Sequence, residues 1–266
     1  GYDAENPFKV TLHPDRLEEP LRWRKPSMIF VCSMGDLFYE GVPFHYIYSV
    51  FITMKHCPQH TFLVLTKRPK RMKEFIVDCY AYESPSGDEK GVHILPNVWL
   101  GVTAENQEMA DKRIPILLQT PAAVRFVSVE PMLGPVDLIS NDYLGGCINC
   151  EVCLDNPKTC INRAQDRKID WIICGGETGP GARPMHPDWA RSLRDQCQAA
   201  WVPFFFKNWG EWLWVHPERK RHEYSSPPEK CSTIGGMRFY RVGKKRAGRL
   251  LDGQAWDQFP ERSDSP

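Results

Sequence analysis

Apolar residues in this chain gather into short unbroken runs, each ended by polar residues and followed by a longer mixed stretch. Six runs stand out, at residues 28–32, 62–65, 98–102, 124–129, 171–174 and 203–206. Runs of this length without polar alternation read as strands buried on both faces. Between them, residues 44–56, 68–79, 105–118 and 189–200 carry helix-compatible spacing. Strands alternating with helices predict an α/β fold with a parallel sheet, and the expected form is a partial (β/α) barrel of the TIM type. Residues 81–96 are polar and read as a surface loop. Residues 138–168 read as an insertion, and 217–249 as a basic, irregular segment within a C-terminal extension, 213–266. The expectation is one domain over 1–266.

The chemistry sits where each run stops. The first run is followed by Ser33-Met-Gly-Asp36, the second by Thr66-Lys-Arg68 and the third by Thr103-Ala-Glu-Asn106. The fourth ends in Ser128-Val-Glu130, the fifth in Gly175-Gly-Glu177 and the sixth in Lys207-Asn-Trp-Gly-Glu211. In parallel barrels the C-terminal ends of the strands form the active-site face, because the loops converge there. Asp36, Lys67, Glu105, Glu130, Glu177 and Lys207 are therefore expected to open onto one face. The fifth turn is the richest, with Gly175, Gly176, Gly179 and Gly181 beside Glu177 and Arg183. Glycines let a ligand approach the backbone, and Pro187-Asp188 marks a following helix start. Glu177 is expected to accept hydrogen bonds from a ligand, and Arg183 to grip a carboxylate.

Composition narrows the class without naming a partner. The chain has 266 residues and a net charge of +1, so no global attraction to nucleic acid or membrane follows. No apolar run reaches membrane-spanning length, and no secretory signal opens the chain. Ten cysteines are present, four of them clustered as Cys147, Cys150, Cys153 and Cys160. The C-x2-C-x2-C-x6-C spacing allows a tetrahedral metal site: structural zinc, an iron–sulfur cluster, or unligated thiols all remain open. A chain this long needs no disulfide scaffold, so a reducing, cytoplasmic compartment is expected. The basic segment 217–249, with ten Lys/Arg against three Glu, reads either as a solvated basic hairpin or as a nucleic-acid contact.

Seven motifs in order carry a resemblance. They are Phe30-Val-Cys-Ser-Met-Gly-Asp-Leu-Phe38, Leu63-Val-Leu-Thr-Lys-Arg-Pro69, Asn97-Val-Trp-Leu-Gly-Val-Thr103, Ser128-Val-Glu-Pro-Met-Leu-Gly134, the 175–189 turn, Phe204-Phe-Phe-Lys207 with Trp209-Gly-Glu-Trp212, and Val242-Gly-Lys-Lys245 with Gly248-Arg-Leu-Leu-Asp-Gly253. Together they resemble the uncharacterised phage-type family named for gene products thirty-seven and sixty-eight, a domain of unknown function also described by its three-cysteine motif. That family is similar to radical S-adenosylmethionine (SAM) enzymes. The resemblance implies SAM and a [4Fe-4S] cluster as cofactors, and a three-cysteine-motif partner protein. Ser33 and Asp36 would meet the methionine end of SAM, with Asp36 receiving its amino group. Lys67, Arg68, Glu105, Glu130, Glu177 and Lys207 would line the cavity. No cysteine precedes Cys32, so the cluster-binding triplet is expected in an N-terminal segment missing from this chain. The competing reading is a non-catalytic, zinc-stapled module that binds nucleic acid or protein.

Overall fold

The computed structural model describes residues 9–83, 90–92, 94–145, 168–215 and 231–261. In chain order the strands begin with β1 (Met28–Val31) and β2 (Thr61–Thr66), then β3 (Ala81–Glu83) and β4 (Lys90–Val92). There follow β5 (Val98–Thr103), β6 (Val124–Val129), β7 (Trp171–Gly175) and β8 (Phe204–Asn208). All six apolar runs are strands, hydrogen-bonded in the order β1-β2-β5-β6-β7-β8. The registers of β1 with β2, β2 with β5, β6 with β7 and β7 with β8 are parallel. β5 and β7 are buried along their whole length, whereas β1, at one end of the order, alternates between exposed and half-buried residues. Burial on both faces is what makes inner parallel strands read as continuous apolar runs.

The chain divides into two compact units, Gly1–Val102 with Ile116–Arg125, and Thr103–Pro115 with Phe126–Pro266. In the first, α1 (Phe44–Lys55) buries Ile47, Phe51 and Met54, one face of a 3.6-residue repeat. The helix predicted at 68–79 is α2 (Pro69–Glu74) running into a π turn, Phe75–Cys79. Phe75 is fully buried, with the rings of Phe38, Phe44, Phe51 and Tyr80 between 5.0 and 6.0 Å away. The expected loop at 81–96 is corrected: β3 and β4 pair antiparallel there. Strands of three residues are too short for their pattern to register.

Helix α3 (Gln107–Leu118) starts two residues later than expected, because the Asn106 side chain accepts from the Met109 amide at 3.0 Å and caps it. In the second unit, α4 (Pro187–Ala199) buries Ala190, Leu193 and Cys197. Pro187 occupies its first turn, and His186 Nδ1 caps it by accepting from the Asp188 amide at 3.2 Å. The outer side of β8 is covered by the chain near its C-terminal end. The Phe206 amide donates to Trp256 O, and the Gln258 amide to Phe204 O. That protects an edge that would otherwise template association.

The segment read as irregular is also corrected in its described half. β9 (Trp212–Val215), β10 (Cys231–Ile234) and β11 (Met237–Arg241) form an antiparallel sheet in the order β10-β11-β9. Gly235 and Gly236, both at left-handed φ of 54° and 79°, make the two-residue turn between β10 and β11. Such turns need positive φ at both positions, and glycine adopts it without strain. A short helix, α5 (Lys244–Ala247), follows. Among the described residues no helix is long and apolar enough to cross a membrane.

Candidate functional site

In the first unit the polar strand ends converge on Asp36. Its Oδ1 accepts from the Phe38 amide at 2.9 Å and the Thr66 hydroxyl at 2.8 Å. Its Oδ2 accepts from the Lys67 amide at 3.0 Å and from Arg68 Nη1 at 2.9 Å. A carboxylate has about four lone-pair sites, and protein donors occupy four positions here. Arg68 also reaches Glu40 through Nε, at 2.9 and 3.0 Å, and stacks 4.6 Å from the centre of the Tyr39 ring. Asp36 thus braces the loop after β1 against the end of β2. A ligand ammonium arriving there would have to displace Thr66 or Arg68. Ser33 and Lys67 are exposed beside this brace.

In the second unit, Glu105, at the end of β5, pairs with Arg113 of α3 at 2.8 Å, and Arg113 also donates to the Thr103 carbonyl at 2.7 Å. Glu130, at the end of β6, pairs with Lys207 of β8 at 3.0 Å. The strand between them is β7, and Gly175 is why they meet. A Cβ at 175 would stand 3.1 Å from the Glu130 carboxyl carbon, in the space the carboxylate crosses. Beside this pair lies Cys174. Burial, reinforced by Glu130, pushes its thiol well above the ordinary range, so it is no nucleophile.

The glycine turn is built differently from the expectation. Gly176 has no room for a side chain, because a Cβ there would lie 2.1 Å from the Trp209 carbonyl oxygen. It therefore serves backbone packing between the ends of β7 and β8. Gly179 and Gly181, by contrast, face open space. Glu177 meets protein donors within its own turn. It accepts from Arg183 three times, from the amide at 2.7 Å, Nε at 2.8 Å and Nη2 at 2.7 Å. The bidentate partner expected for Arg183 is this residue of its own turn. The small sheet holds the turn from outside: Trp212 Nε1 donates to Ala182 O at 2.7 Å, and Arg241 to Pro180 O at 2.8 Å and to Gly179 O.

The Arg183 hydrogen bond holds the Glu177 carboxyl below its usual range, against the opposing effect of partial burial. A lowered folded-state value lends stability above the unfolded value, about 4.3, and that stability is lost as pH falls through the folded value. Because Arg183 is 60% exposed, Glu177→Gln is expected to cost only about 1 kcal/mol at pH 7. In urea unfolding the gap between variant and wild type should narrow as pH drops below about 4. A gap that stays constant into acid would contradict the pairing.

Sequence reading missed Arg113 and Glu40, and placed Arg241 only within the basic segment, where it instead holds the glycine turn. Arg113 carried a faint signal, as a cation one position before the buried Ile114. Glu40 had none. Cys147, Cys150, Cys153 and Cys160 lie outside the described residues. Among the described residues no group of three His, Cys, Asp or Glu could hold a metal. The described cysteines are scattered, and Cys57, Cys174 and Cys197 are buried.

No curated protein and no solved structure matches the chain. One family does, described as protein of unknown function (DUF5131), over residues 2–260. A match across nearly the whole chain means that this protein belongs to the DUF5131 family.

Proposed function

We propose that the protein is a radical SAM-type enzyme of the phage-type family its motifs resemble, cytoplasmic, with a partial (β/α) barrel as scaffold and an undetermined substrate. One observation carries the reading. In the second unit the ionisable residues Glu105, Glu130, Glu177 and Lys207 all stand at C-terminal strand ends, and two of them, Glu130 and Lys207, pair at 3.0 Å across the end of β7, where Gly175 leaves room. Parallel α/β scaffolds gather reactive groups at that edge. The described residues do not fit a [4Fe-4S] cluster, since no three thiolates come together among them. Its ligands would have to come from residues outside those described, and the 147–160 cysteines would hold zinc or a second cluster.

A second reading has its own supporting observation. Asp36 and Glu177 spend their acceptors on protein donors, which suits a non-catalytic, zinc-stapled binding module. One experiment separates the two. The natural full-length protein is reconstituted anaerobically with iron and sulfide, then given SAM and dithionite. The enzyme reading expects about four irons in a SAM-responsive cluster, and 5′-deoxyadenosine as product. Zinc without iron, and no SAM cleavage, would refute it in favour of the module.

A further inference from the structure

With a net charge of +1 over the whole chain, any attraction to a polyanion must be local. One such concentration stands beside the glycine turn. α5 presents Lys244, Lys245 and Arg246 consecutively, all exposed. Among the described residues none of the three has a carboxylate within ion-pair distance, whereas Arg183 and Lys207 each have one and Arg191 has two. Exposed Lys and Arg neutralise backbone phosphates and release the counterions condensed on them.

Glu211 decides where this ridge stands. Its carbonyl accepts from the amides of Val242 and Gly243 at 2.9 and 3.0 Å, which sets the start of α5. Its own amide donates to Glu177 O at 3.0 Å, and its carboxylate accepts from the Gly179 amide at 3.3 Å. One residue therefore ties the ridge to the turn. Arg241, three residues before the ridge, completes the tie through the carbonyls of Gly179 and Pro180. On the turn itself the Cβ directions of Gly179 and Gly181 are empty to 4 Å, and Arg183 is 60% exposed.

We propose that this ridge is a nucleic-acid contact: Lys244, Lys245 and Arg246 take backbone phosphates of a strand that passes over the 177–183 turn. An anionic membrane surface fits less well. α5 consists of three cations and one buried alanine, so it offers no apolar face to insert among lipid chains. The proposal needs neither cluster nor SAM, and so stands or falls separately from the enzymatic reading.

The test is fluorescence anisotropy with labelled, mixed-sequence single-stranded 20-mers of RNA and DNA, titrated at several KCl concentrations. Wild type is compared with the K244Q/K245Q/R246Q triple variant. Since these side chains are exposed, and without an ion pair among the described residues, the melting temperature of the triple variant should stay at the wild-type value. Its affinity should fall at least about tenfold, and the slope of log K against log salt should shrink by about 2, which corresponds to three lost phosphate contacts. Equal affinity and slope in the two proteins would overturn the proposal. So would binding of wild type to phosphatidylserine vesicles without binding to either oligonucleotide.

Discussion

Gly176→Ala is expected to destabilise the second unit by about 4 kcal/mol, lowering the melting temperature by roughly 8–16 °C. The reason is a collision with backbone. The added methyl would lie 2.1 Å from the Trp209 carbonyl oxygen, 2.4 Å from its carbon and 2.8 Å from the Gly210 nitrogen. No side-chain rotation relieves a clash with main chain. Separation of the two segments would also strain the bonds that join them, Gly176 N to Asn208 O at 2.9 Å and Glu211 N to Glu177 O at 3.0 Å. Gly210 is bound by the same constraint from the other side, with φ at +78° and a Cβ position 2.2 Å from Glu177 O. Gly181→Ala is the internal control. It has open space and ordinary φ, so a change within about 0.5 kcal/mol is expected. Thermal unfolding followed by circular dichroism distinguishes the cases. Equal melting temperatures for the 176 and 181 variants would mean that the ends of β7 and β8 do not pack this way.

Asp36→Ala is expected to cost about 3 kcal/mol, with the loss confined to the first unit. The carboxylate is 15% exposed and takes four donors, two of them backbone amides. Its removal leaves those amides unsatisfied and leaves Arg68 with Glu40 alone. Asp36→Asn should fall between, at about 2 kcal/mol, because an amide NH2 then faces two donors. Hydrogen exchange at the amides of Phe38 and Lys67 gives the local readout. Both should lose protection in either variant while amides of the second unit keep theirs. Unchanged protection at both positions would remove Asp36 as the brace between β1 and β2.

Much of the scaffold was legible along the chain. Strands buried on both faces declare themselves as runs such as Phe62-Leu-Val-Leu65, and their neighbours follow in chain order, with α1, α2, α3 and α4 each lying between two successive strands of the sheet. The start of α4 was legible in Pro187-Asp188. The hairpin between β10 and β11 announced itself in Ile234-Gly235-Gly236-Met237, a two-glycine turn between apolar residues, yet the surrounding basic residues masked the signal.

By itself the sequence determined which residues enter the six strands of the parallel sheet, and that acids and bases cluster where those strands stop. Both follow from periodicity and burial within a few neighbouring positions. Only the tertiary structure decided what those groups do. Glu130 meets a lysine 77 positions away across the bare end of the strand at Gly175, and Asp36 finds three of its four donors 30 to 32 positions on. Four glycines in one turn look alike in the chain, but the Trp209 carbonyl fills the space at Gly176 while the space at Gly181 stays empty. Such differences arise when distant segments are brought within van der Waals and hydrogen-bond reach, and no local pattern encodes which segments those will be.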